Sequence, residues 1–339
     1  MDNWSIYFIY IYSILEKNIK TFFNILNFFI FLRRFFLKIG ILGAGAMGIL
    51  YGGLLSKKGN KVKFIVKNET KKKIINDRGI KLNIDSESFI VNPSAILAKE
   101  ATEFNLIIIF TKTNDTISAL NSIKQIINKN TFLMSLQNGL GNLEKLLKFS
   151  NSSKIIYGTT MAPADLNNVR EVTSFGSHVS QFRLADDKNN CFAENILNIF
   201  NNAKLNSIIN ENVDDVIWSK VAFNTAMNTI CALLEITPSS IDSNKDLKSF
   251  AKSVATETCE VAIANDIKID KEKVFKNIEL SCREHGDHKP SMLQDILLKK
   301  QTEIDALNGE VIKIGSSLDI DTPLNSSLFH LIKAKENNY

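Results

Sequence analysis

The hydrophobic pattern changes character part-way along the chain. From residue 38 onward, apolar runs of strand length alternate with stretches of helical spacing. Lys38–Leu42 (KIGIL) predicts a short buried strand, 49–55 an apolar helix and Lys61–Val66 (KVKFIV) a second strand. The run 104–111 (FNLIIIFT) is almost continuously apolar, as expected of a central parallel strand. A helix over 115–127, a strand over 132–136, a helix starting with Asn142–Leu147 and a strand over 154–160 follow. Two more β-like runs, 170–173 and 180–185, predict that the sheet ends in a hairpin. After a boundary near 210–212 the spacing is helical throughout: 213–235, 246–265, 271–283, 291–316 and 325–336. This predicts an α/β domain over 38–211, an all-α domain over 212–336 and a cleft between them.

Upstream, 4–15 and 21–32 are apolar, aromatic runs separated by Glu16, Lys17 and Lys20. Each is shorter than the ~20 residues of a spanning helix. No basic segment precedes the first and no small-residue cleavage site follows the second, so a secretory signal fits poorly. Arg33-Arg34 leaves an interfacial anchor as an alternative. The favoured expectation is a protein that starts near Leu37 or Lys38, with residues 1–37 outside the fold and no membrane involved.

Composition narrows the function classes. The remaining chain of about 300 residues is long enough for two cores, and 45% hydrophobic with 23% charged residues is ordinary for a globular protein. The net charge of +5 is dispersed and includes acidic clusters such as Asp214-Asp215, so it calls for no nucleic-acid partner. Cys191, Cys231, Cys259 and Cys282 form no C-x-x-C pair and read as reduced thiols of a cytoplasmic protein. His178, His285, His288 and His330 share no ligand spacing, so no metal is expected.

Chemistry first enters at Gly43-Ala44-Gly45-Ala46-Met47-Gly48, which follows the first strand with G-x-G-x-x-G spacing and opens a helix. Gly43 permits the tight turn, Gly45 the approach of a pyrophosphate, and Gly48 close packing of helix on strand. The anion would rest on unpaired N–H groups at the helix start. At the end of the second strand, where an NAD site places a carboxylate, stands Val66-Lys67-Asn68. A cation there suits a 2′-phosphate, which favours NADP(H). Lys71, Lys72 and Lys73 read as a solvated helix face.

In the helical half, Lys220, Asn224 and Asn228 recur every four residues among Val221, Ala222, Phe223, Ala226 and Met227. The three share one face of an apolar helix. That face is either a solvent-facing polar stripe or a row of donors directed into the cleft. Ser291 and Gln294 match the S-x-x-Q form of a capping box. Glu303, in isolation, reads as a surface carboxylate.

Taken together, GAGAMG, Lys112-Thr113 after the central strand, LQNGLGN around Gln137-Asn138-Gly139, W-x-K-x-x-x-N-x-x-x-N from Trp218, SMLQD from Ser291 and TEIDxxNG from Thr302 resemble the ketopantoate reductase family over about 38–336. The resemblance implies a Rossmann-type domain followed by a helical domain of the 6-phosphogluconate dehydrogenase C-terminal-like kind. It implies reduction of ketopantoate to (R)-pantoate with NADPH, on the way to pantothenate and coenzyme A. Lys220 would be the general acid. Asn138 would lie near the nicotinamide and Lys220, and Asn224, Asn228 and Ser291 would hold the substrate. Glu303 would bind the substrate hydroxyl and keep Lys220 in place, touching the cofactor region with Asn138. Lys67 and Lys112 match basic positions around the cofactor's phosphates. The chemistry is consistent: reducing a ketone builds negative charge on oxygen, and a desolvated lysine both stabilises that charge and releases a proton. Lys299-Lys300-Gln301 and the polar stretch 284–289 depart from the family's usual pattern and bear on substrate fit. Two other readings stay open: reduction of another branched or aromatic 2-keto acid, and a non-catalytic NADP(H)-binding sensor. A monomer or a homodimer is equally compatible.

Overall fold

A computed structural model describes residues 37–338, apart from 187–189 and 285. The two apolar runs upstream of Leu37, and His285, lie outside the described residues. None of the described helices is long and apolar enough to cross a membrane.

The first half is built on an eight-stranded sheet in the order β12-β11-β8-β7-β6-β1-β2-β5. Its strands are β1 (Lys38–Leu42), β2 (Lys61–Val66), β5 (Ser94–Leu97), β6 (Leu106–Ile109), β7 (Phe132–Ser135), β8 (Ile155–Thr160), β11 (Ser180–Leu184) and β12 (Ser207–Ile209). From β5 to β8 every pairing is parallel. β6 is Leu-Ile-Ile-Ile, each with 0% exposure, because helices cover both faces of the sheet. The chain leaves β1 toward β2 on one side and returns to β6 on the other. That reversal opens a crevice at the C-terminal ends of β1 and β6, where α/β sheets hold their ligands.

A second sheet, in the order β4-β3-β10-β9, joins β3 (Ile80–Ile84), β4 (Glu87–Val91), β9 (Asp165–Asn168) and β10 (Glu171–Ser174). The first described helix, α1 (Ala46–Lys57), is wedged between the sheets. A Cβ on Gly52 would meet the Phe64 ring of β2, and one on Gly53 would meet Leu82 of β3. A helix squeezed from two sides must be apolar all round, as GILYGGLL is. The expected terminal hairpin does not form. β10 runs parallel to β3 in the second sheet, whereas β11 pairs antiparallel with β8 in the first. The turn at Gly176, with φ +65°, separates the two.

The first half is completed by α2 (Glu69–Arg78), α3 (Thr116–Ser122), α4 (Asn142–Leu147) and α5 (Asn190–Asn202). The second half consists of α6 (Val213–Leu234), α7 (Pro238–Asp242), α8 (Lys245–Ala264), α9 (Lys271–Glu284), α10 (Ser291–Leu297), α11 (Glu310–Ser317) and α12 (Pro323–Glu336). α6 is its axis, buried along most of its length against α8, α10 and α12. The continuous helix expected over 291–316 is broken. α10 stops at Leu297, Lys299 takes a left-handed conformation with φ +52°, and the chain re-enters helix through a π-helical turn, Asp305–Gly309. The break turns backbone carbonyls and Glu303 toward the first half. An unbroken helix would have kept those carbonyls for itself.

Candidate active site

Where β1 ends, Gly43 adopts φ +105°, and a Cβ there would sit 2.7 Å from the backbone of Phe110 and Thr111 beyond β6. Gly48 is equally constrained, because its Cβ would lie 2.0 Å from the Gly43 carbonyl oxygen. At Gly45, by contrast, a Cβ would meet nothing within 4 Å. The loop is therefore tight behind and open in front, toward a cavity of about 810 Å³ lined by Gly43, Ala44, Gly45 and the ends of β2, β5 and β6. Gly45 is also the N-cap of α1, whose first turn has no capping side chain and no acidic residue, leaving its N–H groups for an anion. A dinucleotide pyrophosphate fits this cradle.

The cavity is cationic. Lys67, Lys71, Lys99 and Lys112 line it, with Asp115 as the carboxylate among them. Lys67 Nζ lies 2.8 Å from Asp115 Oδ2, both largely exposed. Lys112 Nζ lies 2.5 Å from Asp295 Oδ2 and donates to the Gln301 carbonyl at 2.7 Å, so it ties the first half to the broken helix. Burial pushes the Asp295 carboxyl above the usual range, and Lys112 opposes that shift. Lys71, read from sequence as part of a solvated face, instead turns inward and donates to the Ala44 carbonyl at 2.5 Å.

Lys220, on α6, reaches across the groove between the halves. Its Nζ donates to Asn138 Oδ1 at 2.6 Å and to the Thr160 carbonyl at 2.5 Å. Burial lowers its pKa to about 8, while the Glu303 carboxylate acts in the opposite direction. Thr160 is itself fixed from beneath, since its hydroxyl accepts a 2.8 Å hydrogen bond from the buried Tyr51 hydroxyl. Asn138 sits in the loop after β7. There Gly139, at φ +81°, lies flat against Ala306, and Leu140 N–H donates to the Ala306 carbonyl at 2.8 Å. The π-helical turn thus props up the loop that carries the lysine's partner, a location where such turns often serve function.

Asn224 and Asn228 follow on the same face of α6, each only 6% exposed, which excludes the solvent-facing stripe. Among the described residues neither amide makes a hydrogen bond, and neither is sealed from solvent. Glu303 is half-buried rather than a surface carboxylate. Its Oε1 accepts from Thr113 N–H at 3.1 Å and Thr113 Oγ1 at 2.8 Å. It forms no ion pair with Lys220, so its influence on the lysine acts through space. Ser291 is exposed at the first position of α10, and the capping box is absent. Pro290 occupies the N-cap, and Gln294 donates instead to Asp165 and to the Lys289 carbonyl, both at 2.9 Å. Among the described residues no cluster of three or more His, Cys, Asp or Glu could hold a metal, and the four cysteines are free thiols.

Sequence reasoning placed Lys71 on a solvated face and gave no role to Thr113, Thr160 or Asp115. Thr113 had a signal, the K-T following the central strand. Thr160 contributes only a carbonyl and carries none.

The first half matches the ketopantoate reductase PanE/ApbA family over residues 39–184, and the second matches the ketopantoate reductase PanE/ApbA C-terminal family over 212–336. The chain belongs to the ketopantoate reductase family. Its relatives include 2-dehydropantoate 2-reductases of Pyrococcus horikoshii, 36% identical, and Pyrococcus abyssi, 33% identical. Each alignment spans 303 residues, covering 88% of this chain and 98% of the relative. Among solved structures, a D-mandelate dehydrogenase in ternary complex with NADH and anilino(oxo)acetate superposes with a TM-score of 0.85 at 28% identity. That match covers 89% of this chain and 99% of the dehydrogenase. Family membership accords with the fold, a Rossmann-type half followed by an all-α half.

Proposed function

We propose that this chain catalyses NADPH-dependent reduction of 2-dehydropantoate to (R)-pantoate, with 38–211 as the coenzyme domain and 212–336 as the substrate domain. The observation that carries the reading is Lys220, a desolvated amine with a pKa near 8, held between the halves by Asn138 and Thr160. The bound dihydronicotinamide supplies the hydride. An ammonium has three N–H donors. Two of those on Lys220 already have acceptors, and the third serves the substrate's carbonyl oxygen. As negative charge builds there, Lys220 stabilises it and then releases the proton.

Asn224 and Asn228 offer amide donors without partners of their own, suited to the keto acid's carboxylate. Ser291, at the start of α10, contributes a further hydroxyl. Glu303 accepts a hydrogen bond from the substrate's hydroxyl and, as a carboxylate, keeps Lys220 charged. Lys67, Lys112 and the Gly43–Gly48 loop hold the coenzyme's phosphates. The basic end of β2, with no carboxylate at the ribose position, supports NADP(H) over NAD(H).

A second reading keeps the site and changes the substrate to an aromatic 2-keto acid, favoured by the likeness to D-mandelate dehydrogenase. Loss of NADPH absorbance with ketopantoate, with phenylglyoxylate and without keto acid separates the readings. Turnover with ketopantoate supports the first and turnover only with phenylglyoxylate the second. Tight NADPH binding with neither substrate consumed makes the chain a non-catalytic sensor.

A further inference from the structure

We propose that Lys71, rather than Lys67, is the residue through which this chain recognises the coenzyme's 2′-phosphate. The proposal rests on the NADP(H) reading above and names the residue that sets it.

The lysines lining the cavity are not equivalent. Lys67 is paired with Asp115 at 2.8 Å, and Lys112 with Asp295 at 2.5 Å. Each meets an incoming phosphate with its charge already balanced. Lys99 is exposed on the turn after β5, the edge strand, two strands away from the glycine loop. Lys71 is half-buried and, among the described residues, has no carboxylate within ion-pair distance. Its side-chain amine donates to the neutral Ala44 carbonyl. Burial lowers its pKa, and the Lys300 charge adds to the effect. A cation taken out of water without a counter-ion gains most when an anion arrives.

Its position is also the right one. α2 begins two residues beyond Lys67 and is capped by Asn68, whose side chain accepts from Lys71 N–H at 2.9 Å. The cap fixes the rotation of the first turn. Lys72 consequently points to Glu100 and Glu69, Lys73 to solvent, and Lys71 to the loop. The Lys71 side chain therefore spans from the end of β2, where the adenosine ribose is read, to the residue between the first two glycines. A phosphate on the ribose 2′-oxygen, carrying nearly two negative charges, enters beside this amine and replaces a neutral acceptor with an anionic one.

The test is calorimetric titration of adenosine 2′,5′-bisphosphate and of 5′-AMP into the wild-type chain and the Lys71→Gln, Lys71→Arg and Lys67→Gln variants. The wild type is expected to prefer the bisphosphate. Lys71→Gln should lose about tenfold or more of that preference while keeping its AMP affinity. Lys71→Arg should retain the preference, and Lys67→Gln should lose less than Lys71→Gln. The proposal is overturned if Lys67→Gln costs more, or if Lys71→Gln weakens both ligands equally, which would make Lys71 a prop for the loop. A wild type that does not distinguish the two ligands removes the NADP(H) reading itself, and the proposal with it.

Discussion

The Lys220 ammonium lies 2.6 Å from the side-chain oxygen of Asn138, a residue 82 positions earlier in the chain and on the opposite side of the groove. One partner rides on a helix of the all-α half and the other on a loop of the Rossmann half. The contact exists only while the halves are docked. Burial that lowers the amine's pKa to about 8 therefore depends on the same docking.

That dependence sets a pH profile. In the proposed reduction the acid is the protonated amine, present below its pKa. For keto acid reduction, kcat/KM is expected to be level below about pH 8 and to fall about tenfold per unit above it. Oxidation of the hydroxy acid needs the neutral amine and should rise across the same limb. A reduction profile still flat at pH 9.5 would mean an unperturbed lysine near 10.4 or no lysine at all.

Glu303 raises the Lys220 pKa through space. In Glu303→Gln the neutral amide keeps an acceptor for Thr113 but loses the charge. The alkaline limb should then move to lower pH, with kcat reduced at neutrality. An unmoved limb would show that the carboxylate serves only as an anchor for Thr113.

The glycine loop separates stability from binding. Gly48→Ala places a methyl 2.0 Å from the Gly43 carbonyl oxygen, so a loss of about 1–3 kcal/mol and a lower Tm are expected. Gly45→Ala meets nothing within 4 Å in the chain itself. Its Tm should stay near wild type while coenzyme affinity falls. Equal Tm losses in the two variants would contradict the assignment of the open side of the loop to a ligand.

Asn224 and Asn228 donate to nothing within the described protein, so replacing either with Ala removes no internal hydrogen bond. Thermal stability should change little. KM for the keto acid should rise about tenfold or more, as for a lost hydrogen bond to a charged group, with KM for the coenzyme unaffected. A large fall in Tm at unchanged KM would make these amides structural.

Much of this arrangement was legible in the sequence, for reasons that particular residues make plain. The β1–glycine loop–helix unit and α6 are local: their signal is a short spacing pattern, and the helix expected over 213–235 is observed as Val213–Leu234. The i, i+4 pattern of Lys220, Asn224 and Asn228 likewise fixes a shared face with no tertiary information. The second sheet was not legible, because β3 and β4 (IKLNI, ESFIV) are half-exposed and their alternation is weak. The break after Leu297 arises from docking against Lys112 and Thr113, contacts nearly 190 residues apart in sequence. Ser291 does not cap α10 because the helix already includes it, with Pro290 at the N-cap. The inward turn of Lys71 depends on how α2 rotates over the glycine loop, which spacing alone does not define.

The most direct measurement is the replacement of Lys220 by Ala, followed by steady-state reduction of ketopantoate and, separately, by equilibrium binding of NADPH. Loss of a general acid predicts a kcat about 10²–10⁴ times lower with coenzyme affinity nearly intact. A variant that turns over at the wild-type rate, or that loses NADPH binding in step with activity, would contradict the assignment of Lys220 as proton donor.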